Sequence, residues 1–133
     1  MSFSYDDTTA VRPGSRLANH NLRGWLARQG DHGSAPRMVL HYAYPRPDAE
    51  RRARSAVTLE LRLRGFTVDD TSLRNGLVFA HETEIASERF DALTAELAEL
   101  LDGYGWDYDA WESEPQPDPA LAYWRTLTGI ELR

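Results

Sequence analysis

From Ser87 onward, Phe90, Leu93, Leu97, Leu100, Leu101 and Tyr104 recur at intervals of three and four residues. Immediately afterwards, Trp106-Asp107-Tyr108-Asp109-Ala110-Trp111 alternates aromatic with acidic residues. The first period is that of an amphipathic helix and the second that of a strand with one face in a core. Gly103 and Gly105 punctuate the change of period. A chain that switches period so abruptly must lay a helix against the strand that follows it, which points to a layered helix-on-sheet fold. Ser87 is the expected N-cap, since its hydroxyl can accept from a free N–H of the first turn. Burying each large apolar side chain of this helix is worth roughly 1.5–3 kcal/mol before entropy is counted. The outward face keeps Glu88, Asp91, Ala95, Glu99 and Asp102, and Asp107 and Asp109 lie opposite Trp106 and Tyr108, in water.

The upstream chain supplies the other layers. Arg37 to Tyr44 reads as a strand, with Met38, Leu40, Tyr42 and Tyr44 on one face and Val39, His41 and Ala43 on the other. Pro47, Asp48 and Glu50 open a helix that runs to Arg64 and stops at Gly65. Its Ala49, Ala53, Ala56, Val57 and Leu63 fall on one broad side, with Arg51, Arg54, Ser55, Thr58 and Arg62 turned away. Phe66-Thr67-Val68 is a short strand, Asn75-Gly76 is the strongest hairpin signal, and a third strand begins at Leu77. The order β-α-β-β-α-β predicts an α+β fold of the ferredoxin-like split type, a four-stranded antiparallel sheet with two helices on one face. An N-terminal helix over Asn19–Gln29, capped by Asn19 or Asn21, docks by Leu22, Trp25 and Leu26. Residues 1–18 lack apolar periodicity and read as a loose tail, residues 19–114 as the domain, and residues 115–133 as an extension with a short amphipathic helix.

The 133 residues suffice for one modest core. No apolar run is long enough to span a bilayer and the first residues lack a signal-peptide pattern, so the expectation is a soluble, cytoplasmic protein without membrane contact. With no cysteine, disulfides, thiolate catalysis and zinc sites of the finger type are excluded. All fifteen basic residues are arginine. Charge is unevenly spread: residues 1–81 hold twelve Arg against eight acids, net +4, while residues 82–118 hold one Arg against twelve acids, net −11. Such a block repels phosphates and attracts a basic partner.

Gly65-Phe66-Thr67-Val68-Asp69 follows an Ala-rich helix, and the third strand closes through Glu82 and Glu84-Ile85. A helix with Phe90-Asp91-x-Leu93 and the segment Tyr108-Asp109-x-Trp111 come next. In order and spacing this series resembles the RraB family, regulators of ribonuclease E activity, over residues 19–114. The resemblance implies a non-enzymatic domain without cofactor that inhibits by binding a protein. The best-known members end in a long, very acidic tail, whereas Asp118–Leu127 here looks like a capped amphipathic helix.

The expected partner is a ribonuclease E-type endonuclease with a basic, arginine-rich surface, and no direct nucleic acid contact. The expected binding surface is the outward side of the Ser87–Asp102 helix with the final strand: Glu88, Asp91, Glu99, Asp102, Asp107, Asp109 and Glu112, with Trp111 as apolar anchor. The oligomeric state is not written in the sequence. No catalytic or metal residues are expected. His41 and His81 fall on neighbouring strands near Glu82 and Glu84, yet without close ligand spacing they read as hydrogen-bonded sheet residues. The carboxylate pairs Asp69-Asp70, Glu82/Glu84 and Asp107/Asp109 could serve acid–base work only if buried together, and strand alternation puts Asp107 and Asp109 on one side, in water. Two alternatives share the topology. An RNA-binding module of the RRM kind would stack bases on Tyr42 or Tyr44 and Phe79 but lacks a basic stripe here. A small-molecule-sensing domain has no motif for or against it.

Overall fold

The computed structural model describes residues 11–69, 73 and 75–116. The elements run α1 (Arg16–Ala27), β1 (Arg37–Pro45), α2 (Ala53–Leu63), β2 (Thr67–Asp69), β3 (Leu77–Thr83), α3 (Glu88–Gly103) and β4 (Trp106–Glu112). The strands form one sheet of order β2-β3-β1-β4 in which every neighbouring pair is antiparallel. The fold of the described residues is therefore α+β, a four-stranded antiparallel sheet with three helices. No helix among the described residues is long and apolar enough to cross a membrane.

One face of the sheet is closed. Val39, His41 and Ala43 of β1, Leu77 and Phe79 of β3, and Trp106, Tyr108 and Trp111 of β4 are buried there, in one core with Val57 and Leu61 of α2 and Phe90, Leu97 and Leu101 of α3. The Ser87 cap forms as expected, its Oγ accepting from Phe90 N at 3.2 Å. Of the expected stripe, Leu93 and Leu100 are only partly buried, and Thr94 and Ala98 join the buried side. Strand alternation leaves Met38, Leu40, Tyr42 and Tyr44 on the opposite face, where they are exposed or half-buried.

Several local expectations are corrected. Helix α1 starts at Arg16, capped by Ser15, whose Oγ accepts from Ala18 N at 3.1 Å, instead of at Asn19 or Asn21. Asn19 is fully buried and spends its carboxamide on tertiary partners. The chain is already packed at Gly14, whose carbonyl accepts from Thr94 Oγ1 at 2.8 Å and where a Cβ would lie 2.9 Å from the Thr94 carbonyl. Residues 1–10 of the expected tail lie outside the described residues, as does the C-terminal helix expected within 115–133. Trp25 is 54% exposed, so α1 docks by Asn19 and Leu26, with Leu22 partly buried beside them.

Helix α2 begins only at Ala53, because Arg46 to Arg52 closes three-residue turns, Ala49 N to Arg46 O and Ala53 N to Glu50 O, each at 3.0 Å. Its buried face is Ala53, Val57, Thr58 and Leu61; Thr58 turns inward and Leu63 is 75% exposed, the reverse of the expected assignment. Gly76 does not take a left-handed conformation. It is needed for close approach, since a Cβ there would meet the Ala43 carbonyl at 2.6 Å.

Candidate functional site

The acidic surface expected on α3 and β4 assembles in part. Glu88, Glu99 and Asp102 of α3 are exposed, as are Asp107, Asp109 and Glu112 of β4. Along β4 the register with β1 shifts between Tyr42↔Ala110 and Ala43↔Tyr108, leaving Asp109 unopposed as a bulge. The bulge has two consequences. It holds the Asp109 side chain in solvent, and it resets the alternation so that Trp106, Tyr108 and Trp111 all point into the core. Asp102, Asp107 and Asp109 share a cleft of about 370 Å³ with Arg12, Pro13 and Tyr108.

Arg46 crosses this group. Its Nη1 lies 3.0 Å from Asp102 Oδ1 and 2.8 Å from Asp107 Oδ1, and the hydrogen bond to Asp107 raises the guanidinium pKa further. The acid cluster thus already holds one arginine of its own chain. Glu112 accepts a hydrogen bond from the Tyr42 hydroxyl, which pushes that hydroxyl up to about 12 and keeps it a donor.

Two of the eight expected residues are not free surface. Asp91 accepts from Arg23 at 2.8 and 3.3 Å and from Asn19 Nδ2 at 2.8 Å, so it ties α3 to α1. Trp111 is 3% exposed, donates its Nε1–H to Asn19 Oδ1 at 2.7 Å and meets Phe90 edge to face at 5.1 Å. It cannot act as an exposed anchor.

His41 and His81 do meet, as neighbouring strands require. Their Nε2 atoms lie 3.0 Å apart, and His41 Nδ1 is 2.7 Å from the Tyr108 hydroxyl. Burial, with a smaller effect from His81, depresses His41 to about 3, and burial lowers His81 as well. A neutral ring donates from one nitrogen and accepts at the other, so the three groups form a directed hydrogen-bond chain walled by Phe66 and Phe79. Glu82, adjacent to His81 in the strand, is exposed on the other face. No group of three or more His, Cys, Asp or Glu among the described residues is placed to hold a metal ion.

Sequence reasoning missed two polar hubs. Asn19 joins Asp91, Thr94 and Trp111, each 72 or more positions away. Asp31 and Arg37 form a buried bidentate pair at 2.5 and 2.8 Å, and the Asp31 carboxylate also accepts from the Gly33 and Gln116 amides, each at 2.9 Å. Burial alone would raise the Asp31 pKa; the Arg37 hydrogen bond and the two amides outweigh it and hold it below the usual carboxylate value. The position of Asn19, three and seven residues before Leu22 and Leu26 on the apolar stripe of α1, was the available signal for the first hub. The second had none.

A family model described as Regulator of ribonuclease activity B (RraB) matches residues 18–113. No curated protein matches the chain. The family match covers most of the chain, including all seven described elements except the first two residues of α1, and the protein belongs to the RraB family.

Proposed function

We propose that this protein is a non-enzymatic regulator that binds a ribonuclease E-type endonuclease and lowers its activity by occupying an arginine-rich segment of that enzyme. Membership of the RraB family is the observation that carries the reading. The strand order β2-β3-β1-β4 supports a ferredoxin-like split reading of the fold, a scaffold that displays carboxylates: Glu88, Glu99, Asp102, Asp107, Asp109 and Glu112 stand exposed on α3 and β4. Carboxylates pair with arginine in planar, two-point hydrogen bonds, and Arg23 on Asp91 and Arg37 on Asp31 are internal instances of the same chemistry. Such a surface competes with RNA for the enzyme's arginines and needs no catalytic group of its own.

The direct test is cleavage of a structured RNA by a purified ribonuclease E-type endonuclease, titrated with this protein. Cleavage should fall in a dose-dependent way, and the effect should weaken with added salt. Undiminished cleavage at saturating protein, with no complex on gel filtration, would sink the reading.

A further inference from the structure

We infer that the open face of the sheet, centred on Tyr42, is where a cationic, arginine-rich protein segment docks; this rests on the reading of a partner rich in arginine and supplies the apolar anchor that buried Trp111 cannot. The register lays the outward residues in rows across the strands. In the first row Met38 stands beside Glu82. In the second, Thr67, Ala80, Leu40 and Glu112 lie side by side. The third runs Asp69, Val78, Tyr42 and Ala110, and in the fourth Tyr44 pairs with Asp107. Each row therefore carries one carboxylate; Asp69 already takes part in an interaction of its own, and Glu112 holds the Tyr42 hydroxyl. Arg46 stands only at the margin, on Asp107.

Carboxylates stand on both sides of β1. Glu82 flanks it on the β3 side, and Glu112 and Asp107 flank it on the β4 side, while Asp69 lies one strand farther out on β2. Successive rows are about 6.7 Å apart, twice the rise per strand residue. A segment laid along β1 meets Glu82 on one side and Glu112 and Asp107 on the other, with Met38, Leu40, Tyr42 and Tyr44 beneath it. Met38 is 56% exposed, and the other three are half-buried. Guanidinium groups suit both parts, since they stack on tyrosine rings while forking onto carboxylates. The same aromatic strand in an RNA-binding sheet would need basic neighbours; here its frame repels phosphate.

The test uses the full chain with assigned backbone amides, a synthetic peptide rich in arginine and leucine, oligouridine, and a soluble paramagnetic probe. The probe should broaden Met38 and Tyr42 before any peptide is added. Peptide should then perturb Leu40, Tyr42, Val78, Ala80 and Ala110, and Tyr42→Ala or Glu82→Arg should each raise its Kd about tenfold without loss of folding. A face silent to the paramagnetic probe is covered by the chain itself and overturns the inference. Perturbation by oligouridine at the same residues overturns it in favour of nucleic acid. Peptide shifts confined to Glu88 and Glu99 overturn it while leaving the cationic partner standing. No peptide binding anywhere, together with uninhibited ribonuclease, removes the underlying reading too.

Discussion

The two faces of β1 handle polar groups in opposite ways. Inward, His41 is bound on both ring nitrogens, and Asn19 is bonded to both Thr94 and Trp111. Outward, Glu112 accepts from Tyr42, Asp107 pairs with Arg46 at the margin, and the exposed carboxylate of Glu82 borders apolar side chains. Burial explains the contrast, because an unpartnered polar group in a core costs about 1–3 kcal/mol whereas an exposed one costs almost nothing. The closed face is thus specified by folding. The open face is under no such constraint, so its charge pattern can serve binding. Substitutions on the first should change stability and those on the second should change association.

The largest expected loss is at the closed side's buried ion pair. Asp31→Ala leaves Arg37, 4% exposed, as an uncompensated buried charge and frees the Gly33 and Gln116 amides. Breaking one partner of such a pair costs about 3–5 kcal/mol, read as a fall in the urea midpoint. Leu97→Ala follows, at about 2–5 kcal/mol, because Leu97 is 1% exposed at the centre of α3. A loss under about 0.5 kcal/mol at either position would mean that the contrast between the faces is not one of stability.

The pH dependence sharpens the same comparison. His41 has a folded pKa of about 3 against an ordinary 6.5, so the unfolded chain takes up its proton first as pH falls. Its contribution is fully present above pH 6.5 and is lost between there and about 3, with a slope near 1.4 kcal/mol per pH unit. Asp31, lowered below 3.8, adds loss in the same direction at the acid end. Tyr108 is raised above 10, so its contribution holds below pH 10 and declines above it. His41→Phe should flatten the limb between pH 6.5 and 4 in urea unfolding. An unchanged limb would assign acid sensitivity to other groups.

Local features were readable where a residue's role depends on its neighbours in sequence. The Ser87 cap, the glycine stop at Gly65, and the inward side of β1 depend on backbone geometry within a few residues. What could not be read depends on distant partners. The Asp109 bulge exists only in the pairing of β4 with β1, and one extra residue there turned Trp111 from the expected surface into the core. Asp91 looked like an outward acid because helical spacing is silent about Arg23, 68 residues earlier. For the site, the sequence conveyed the chemistry, acid without counter-charge. It did not convey which acids the fold would neutralise internally, nor that β1 would lie between two flanks of carboxylates.

The smallest effect on stability separates the two candidate docking surfaces. Glu99 on α3 and Glu82 on β3 are both exposed and lie on opposite sides of the molecule's sheet, so reversing either to arginine should shift stability by no more than about 0.5 kcal/mol. Asp102 is a poorer choice, since an arginine there would face Arg46. Association with the arginine-rich peptide, followed by stopped flow across a salt series, should slow with Glu82→Arg and lose part of its salt dependence, because steering scales with the charge near the docking site. Glu99→Arg, farther from β1, should slow association less. If Glu99→Arg has the larger effect, α3 is the recognition surface, and the carboxylates of the open face serve solubility alone.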